Sequence, residues 1–214
     1  MENSSSSHKS PKVTGGLVRI RATCTGLSAL LQNRLSPETL EAIRTKAKAG
    51  KNAPRGTPRE ECGPKLHTTA EGAPAMPLVN IVAALTEAGR SVRLDGKKQM
   101  STATSTVLFS YVVFGGPEML PLTMRDGVTP SVWEADVRKG TNPNGGEAVA
   151  ICRPRFDEWQ FTMDFDVDTA EIGVDKIREL FDIAGSRVGL CDFRPACKGW
   201  FGRFSVTKWE EVSE

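Results

Sequence analysis

Asp164, Asp166 and Asp168 stand at alternate positions, so on an extended strand their carboxylates share a face and could bind Mg2+ for phosphodiester hydrolysis or nucleotidyl transfer. The same spacing has a plainer reading. A strand with one buried side exposes its polar set, and three alternate aspartates then form a solvated acidic edge. Asp157 and Glu158 share that weakness. His67 lacks the Cys or Asp companions of a nucleophilic triad and reads as a surface residue of a basic loop. No G-x-x-x-x-G-K-[ST] loop occurs, which argues against NTP hydrolysis. Cys24, Cys62, Cys152, Cys191 and Cys197 form an odd, scattered set in which only the last two are close, whereas zinc sites usually need two tighter pairs. They read as small reduced thiols of a cytoplasmic protein, and neither metal nor cofactor is expected.

The cations say more. The chain of 214 residues sets 28 Lys and Arg against 26 Asp and Glu, but unevenly. Residues 1–70 hold 12 basic and 5 acidic side chains, while residues 157–214 hold 7 and 13. A polarised chain of this kind can turn a basic face toward a polyanion and stay soluble. The densest run, Arg44, Lys46, Lys48, Lys51, Arg55 and Arg59, contains no carboxylate and passes into a Gly/Pro-rich stretch that reads as a mobile basic loop. A second candidate lies between Gly185 and Phe204, where glycines alternate with Arg187, Arg194, Lys198 and Arg203 and with Phe193, Trp200 and Phe201. Glycine lets a backbone approach a ligand and leaves amides for anions, arginine forks onto phosphate, and aromatic faces stack bases.

Elements must position these groups. A hydrophobic content of 39% supports one domain with a real core, and no apolar run reaches the roughly 18 residues of a membrane helix. Residues 1–16 are polar and read as a disordered tail without a secretory signal. Leu17 to Cys24 puts Val18, Ile20 and Ala22 on one side and Arg19 and Arg21 on the other, the pattern of a half-buried strand. Ser36-Pro37-Glu38 marks a helix start, with Leu40, Ile43 and Ala47 as its apolar stripe and the basic run at its C-terminal end. A second helix spans Leu78 to Gly89. Strand-prone segments follow at Thr104–Phe114 and Val132–Val137, and Asn142 to Gly146 reads as a hairpin turn before Glu147–Cys152. Trp159 to Asp168 alternates most cleanly, a helix runs from Val174 to Ala184, and Phe201 to Trp209 closes the domain as a strand. Residues 210–214 read as an acidic tail. The order predicts an α+β fold, a ferredoxin-like or RNA-recognition-motif sheet with helices on one face, interrupted by a basic insertion at about residues 49–72.

The stretch from Val188 through Gly189, Arg194, Gly199 and Gly202 to Phe204 resembles the C-terminal glycine-rich loop of the RAMP superfamily, in particular the backbone subunits of CRISPR effector complexes and their stand-alone relatives in phages and prophages. Val18 to Arg34 is similar to the first strand of those proteins and its exit through small residues, a leucine pair and an asparagine. Glu71 to Arg90 is similar to their proline, helix and small-residue segment, and Arg153 to Trp159 to a segment of the phage-borne relatives. Over residues 17–209 the resemblance implies a non-catalytic protein that binds single-stranded nucleic acid, RNA or ssDNA, along its backbone, and that stacks side by side into homo-oligomers or joins other effector-complex subunits. The positions matching the family's loop are Gly189, Arg194, Gly199, Gly202 and Arg203; Asp192 departs from it and would repel phosphate if it pointed inward. Arg19, Arg21 and Arg34 of the opening segment, Arg44, Lys46, Lys48 and Lys51 of the basic run, and Lys97 and Lys98 are the further expected phosphate contacts, with Phe193 and Trp200 as stacking candidates. Two other functions fit less of the sequence: a protein-interaction module that mimics or docks on an effector backbone through its acidic C-terminal third, and a metal-dependent nuclease or nucleotidyl transferase using Asp164 and Asp166.

Overall fold

The computed structural model describes residues 16–46, 56–94, 96, 98–141, 146 and 148–212. In chain order its strands are β1 (Leu17–Gly26), β2 (Leu30–Leu31), β3 (Ala75–Pro77), β4 (Val112–Phe114), β5 (Met119–Pro121), β6 (Glu134–Thr141), β7 (Ala148–Phe156), β8 (Gln160–Asp168) and β9 (Phe204–Val212). The helices are α1 (Pro37–Thr45), α2 (Pro58–Cys62), α3 (Leu78–Ala88) and α4 (Val174–Ile183).

Alternation builds the central sheet. β1 buries Ile20, Ala22 and Cys24, and β8 buries Phe161, Met163, Phe165 and Val167 on the same face. Four antiparallel strands line up in the order β4-β8-β1-β9. Two split β-α-β units, β1-α3-β4 and β8-α4-β9, interleave to give that order, which is the ferredoxin-like arrangement. α3 contributes Ile81, Ala84, Leu85 and Ala88 to the core, and α4 contributes Ile177, Leu180 and Phe181. At the centre, Phe165 stacks on Phe181 at 5.2 Å, and Trp209 meets both rings edge-on at 5.6 and 5.5 Å. β6 and β7 form a long antiparallel hairpin, extended at one edge by β2, and β3 pairs with β5.

Several details differ from expectation. Between Thr104 and Phe114 only the last three residues form a strand, because Ser and Thr hydroxyls close local bonds instead: Ser101 Oγ lies 2.8 Å from Thr106 Oγ1, and the Ser105 amide donates to Thr102 Oγ1 at 3.1 Å. β9 runs through Glu210 and Glu211, paired with Arg21 and Ile20, so those residues belong to the sheet rather than to a tail. α1 starts at its Ser36 cap as expected, with the Thr39 amide donating to Ser36 Oγ at 3.2 Å, yet it buries no residue: Leu40 is 52% and Ile43 63% exposed. Residues 56–72 are ordered by side-chain bonds. Thr57 and Glu60 form a reciprocal capping box on α2, Arg59 stacks on Trp133 at 3.6 Å, and Cys62 is buried. The tail to residue 15, the turn at residues 142–145, and Ala47, Lys48, Lys51, Arg55 and Lys97 lie outside the described residues.

Removing the central ring tests this core. Phe165→Ala should lower the unfolding free energy by about 3–5 kcal/mol, read from a denaturant midpoint.

Candidate nucleic-acid interface

The open face of the sheet is a polar ladder. Arg19 Nε and Nη2 donate to the two oxygens of Asp166 at 2.9 and 3.2 Å, and Arg21 does the same to Asp164 at 2.8 and 2.7 Å. Thr23 bonds Thr162 at 3.0 Å, and Thr25 reaches Gln160 at 3.2 Å and Thr207 at 2.9 Å. Hydrogen bonding to Asp164 raises Arg21 above its ordinary pKa, and Arg21 holds Asp164 below its own. Asp168 accepts the Ala170 amide at 3.0 Å. A groove of about 520 Å3 runs beside this ladder, lined by both arginines, Gly115 and Gly116. Two expectations change here. Arg19 and Arg21 neutralise aspartates rather than phosphates, and Asp164 and Asp166 are engaged by guanidinium groups rather than open to Mg2+. Among the described residues, no three His, Cys, Asp or Glu side chains gather where they could hold a metal ion.

The glycine-rich loop lies at the other end of β1, five residues beyond Arg21, or about 16 Å along the strand. It is tied there by main-chain bonds to the segment leaving β1. The Leu27 amide donates to Arg203 O at 2.8 Å, Gly202 N to Ala29 O at 2.8 Å, and Asp192 N to Leu31 O at 2.9 Å. Its glycines serve this closure. A side chain on Gly199 would overlap the Phe193 carbonyl and one on Gly202 the Leu190 backbone. The Gly189, Gly199 and Gly202 amides donate to Ala184 O, Arg194 O and Ala29 O, so the expectation that they bind an anion is corrected: they are already bonded within the protein. Arg194 likewise turns Nη1 onto Cys191 O at 2.8 Å. Asp192 accepts from Arg153 Nε at 2.5 Å, Asn33 Nδ2 at 3.2 Å and the Phe193 amide at 2.8 Å, which neutralises it as an obstacle to phosphate.

Against this loop sits a second groove of about 470 Å3, lined by Asn33, Arg34, Leu35, Leu40, His67, Val79, Asn80, Cys191 and Asp192. The exit of β1, α1, the first turn of α3 and the loop all meet there. α3 begins after Pro77 without a side-chain cap; the Leu78 amide donates to Glu118 O at 2.8 Å, and the positive end of the helix lies at Val79 and Asn80. Arg34 is exposed. Gln32, fully buried, ties the neighbourhood by donating to Ala75 O at 2.8 Å and accepting the His67 amide at 2.8 Å. His67 is half-buried rather than on the open surface; its Nδ1 has no hydrogen-bond partner, and burial, helped by Arg34, holds its imidazole below the ordinary 6.5. Desolvation pushes the Cys191 thiol up to about 12, leaving it neutral, with Sγ 3.8 Å from Met76 Sδ. All five cysteines are free, and only Cys197 is exposed.

The remaining expected contacts scatter. Arg44 pairs with Glu41 at 2.7 Å, Lys46 is exposed at the end of α1, and Lys98 is exposed beyond the far end of α3. Sequence reading passed over Asn33, Asn80 and the hairpin arginines. Arg138 forks onto Asp136 at 2.6 and 2.9 Å, Arg153 meets Asp192, and Arg155 meets Asp157 at 2.6 Å. The register Asp136↔Arg153 and Glu134↔Arg155 puts all three arginines on one face of the hairpin. The alternation of Arg153 and Arg155 was the available signal; Asn80 had none.

No family model matches the chain, and no curated protein is similar to it in sequence. Solved structures are similar in fold. A chain of the cryo-EM structure of the Type III-B Cmr-beta bound to cognate target RNA superposes with a TM-score of 0.53 at 12% identity, over 92% of this chain and 61% of that one. The crystal structure of Cmr6 from Pyrococcus furiosus gives a TM-score of 0.46 at 11% identity, over 89% of this chain and 99% of that one. The chain thus spans less than two thirds of the first structure's length. The likeness to that first structure bears out, at the level of the fold, the α+β arrangement expected from the sequence. No helix among the described residues is long and apolar enough to cross a membrane.

His67 makes the groove pH-sensitive. Because its folded pKa is depressed, the unfolded chain takes up a proton at higher pH than the folded one. This part of the stability is full above the ordinary value of 6.5 and declines as pH falls through it. Denaturant titrations at about pH 7.5 and about pH 5.5 should show a smaller acid loss for His67→Gln than for wild type.

Proposed function

We propose that this chain is a non-catalytic protein that grips single-stranded RNA or DNA by its backbone, across the end of the molecule where β1 leaves the sheet. The observation that carries this reading is the groove where Arg34 and the amino end of α3 meet the glycine-rich loop, whose Lys198 and Arg203 are exposed. Phosphate is the ligand that suits a helix amino end beside the Arg34 guanidinium. Lys46, Lys198 and Arg203, all exposed, extend the cationic surface, whereas Arg19, Arg21 and the hairpin's Arg138, Arg153 and Arg155 take no part because their charges are matched by aspartates. The similarity in fold to a chain of a complex bound to cognate target RNA supports RNA as the natural strand. Side-by-side association of copies, or with other effector-complex subunits, completes the reading.

A second reading draws on a specific observation. Leu35, Leu40, Ile43 and Val79 are at least half exposed on and beside α1, and an apolar surface of this kind suits a protein partner such as an effector backbone. Ile43→Ser separates the two, since it should weaken a protein contact through the apolar surface of α1 and leave nucleic-acid binding largely intact.

The test is fluorescence anisotropy with a labelled single strand. For about four phosphate contacts, affinity should fall about 50-fold between roughly 50 and roughly 200 mM salt. Absence of binding at low salt overturns the proposal.

A further inference from the structure

Trp200 is 60% exposed although it belongs to a closely bonded loop. One face lies on Phe201 at 5.2 Å and 23°, and Phe193 flanks both rings at 6.2 and 5.9 Å. Arg138, fixed by its two bonds to Asp136, reaches across from the hairpin to hold its guanidinium 4.8 Å from the Phe201 ring and 5.9 Å from Trp200. Within this loop Cys191, Phe193 and Lys198 all take left-handed backbone angles, φ of 59°, 49° and 62°, which side chains of this size rarely adopt. A strained backbone thus holds a large ring outside the core, on an aromatic bed with a cation beside it.

We propose that Trp200, bedded on Phe201 and flanked by Arg138, is a stacking platform for one unpaired nucleobase. The inference rests on the proposed function and deepens it by adding a base contact to a backbone grip. Two observations favour a base over a protein side chain. The cations Lys198 and Arg203 stand exposed close to Trp200 in the same loop, complementary to a polyanion. The platform is also continuous with the phosphate groove: Asn33 bonds Asp192, Asp192 bonds Arg153, Arg153 stands opposite Asp136 in the hairpin, and Asp136 fixes Arg138. Among the described residues, the hydrogen-bonded rungs of the open sheet face are built from Arg, Asp, Thr and Gln and present no aromatic ring. A strand whose phosphates occupy the groove can therefore turn a base onto Trp200. Stacking accepts any base, so the contact adds affinity without sequence preference.

The test compares wild type, Trp200→Ala and Trp200→Phe on labelled oligo(U) and on the same ribose-phosphate strand without bases, after thermal melts establish that all three fold alike. Trp200→Ala should weaken oligo(U) binding about tenfold or more, leave the abasic strand and the salt slope unchanged, and be largely rescued by Trp200→Phe. Oligo(U) should also quench wild-type tryptophan emission more than the abasic strand does. Equal binding of oligo(U) by Trp200→Ala and wild type overturns the platform while the backbone grip survives. So does loss of self-association in Trp200→Ala without loss of oligo(U) affinity, which would make the ring a protein contact. If wild type binds neither strand at low salt, the function and the platform fail together.

Discussion

Main-chain hydrogen bonds between the glycine-rich loop and the exit of β1 hold one end of this molecule together. Gly202 to Ala29, Asp192 to Leu31, and Leu27 and Ser28 to Arg203 join segments more than 150 residues apart in sequence. Peptide groups that leave a sheet must find partners or remain hydrated, and here each segment satisfies the other. The tight approach requires glycine where a side chain would strike the facing carbonyl, as at Gly199 and Gly202. Once the two segments are joined, Asp192 is placed to collect Arg153 and Asn33, and the groove beside His67 acquires its wall.

The sheet's exposed face is built on the opposite principle. Each arginine of β1 faces an aspartate of β8 in register, so the charges cancel within the ladder and leave little field for a ligand. Such half-exposed pairs add little stability individually, but in series they fix the register, since a shift by one residue would set like beside unlike partners and turn the apolar set outward. The two ends of β1 are thus held differently, one by ion pairs across the sheet and the other by main-chain bonds to the glycine-rich loop.

Much of the fold was legible. The alternations of β1 and β8, the Ser36-Pro37 helix start and the stripe of α4 each follow from local chemistry and stand where the sequence puts them. The site was less so. A polar strand face shows which residues point outward and not what they meet, so Arg19 and Arg21 looked available until Asp166 and Asp164 were found opposite. The glycines advertised an open cradle, yet their amides are consumed by long-range bonds that no local pattern encodes. The Thr57-Pro58-Arg59-Glu60 capping box was readable and would have shortened the supposed mobile loop.

The hairpin of β6 and β7 is wedged at its base from both sides. Cys62 of α2, buried beside Cys152, supports one face, and Asp192 with the aromatic bed of Phe201 supports the other through Arg153 and Arg138. The first wedge is apolar, and the second rests on charge pairs largely withdrawn from solvent, with the Arg153 side chain 12% and the Asp136 side chain 7% exposed, so electrolyte screens them less than surface pairs. The hairpin's footing is accordingly built to outlast a rise in ionic strength that loosens exposed pairs.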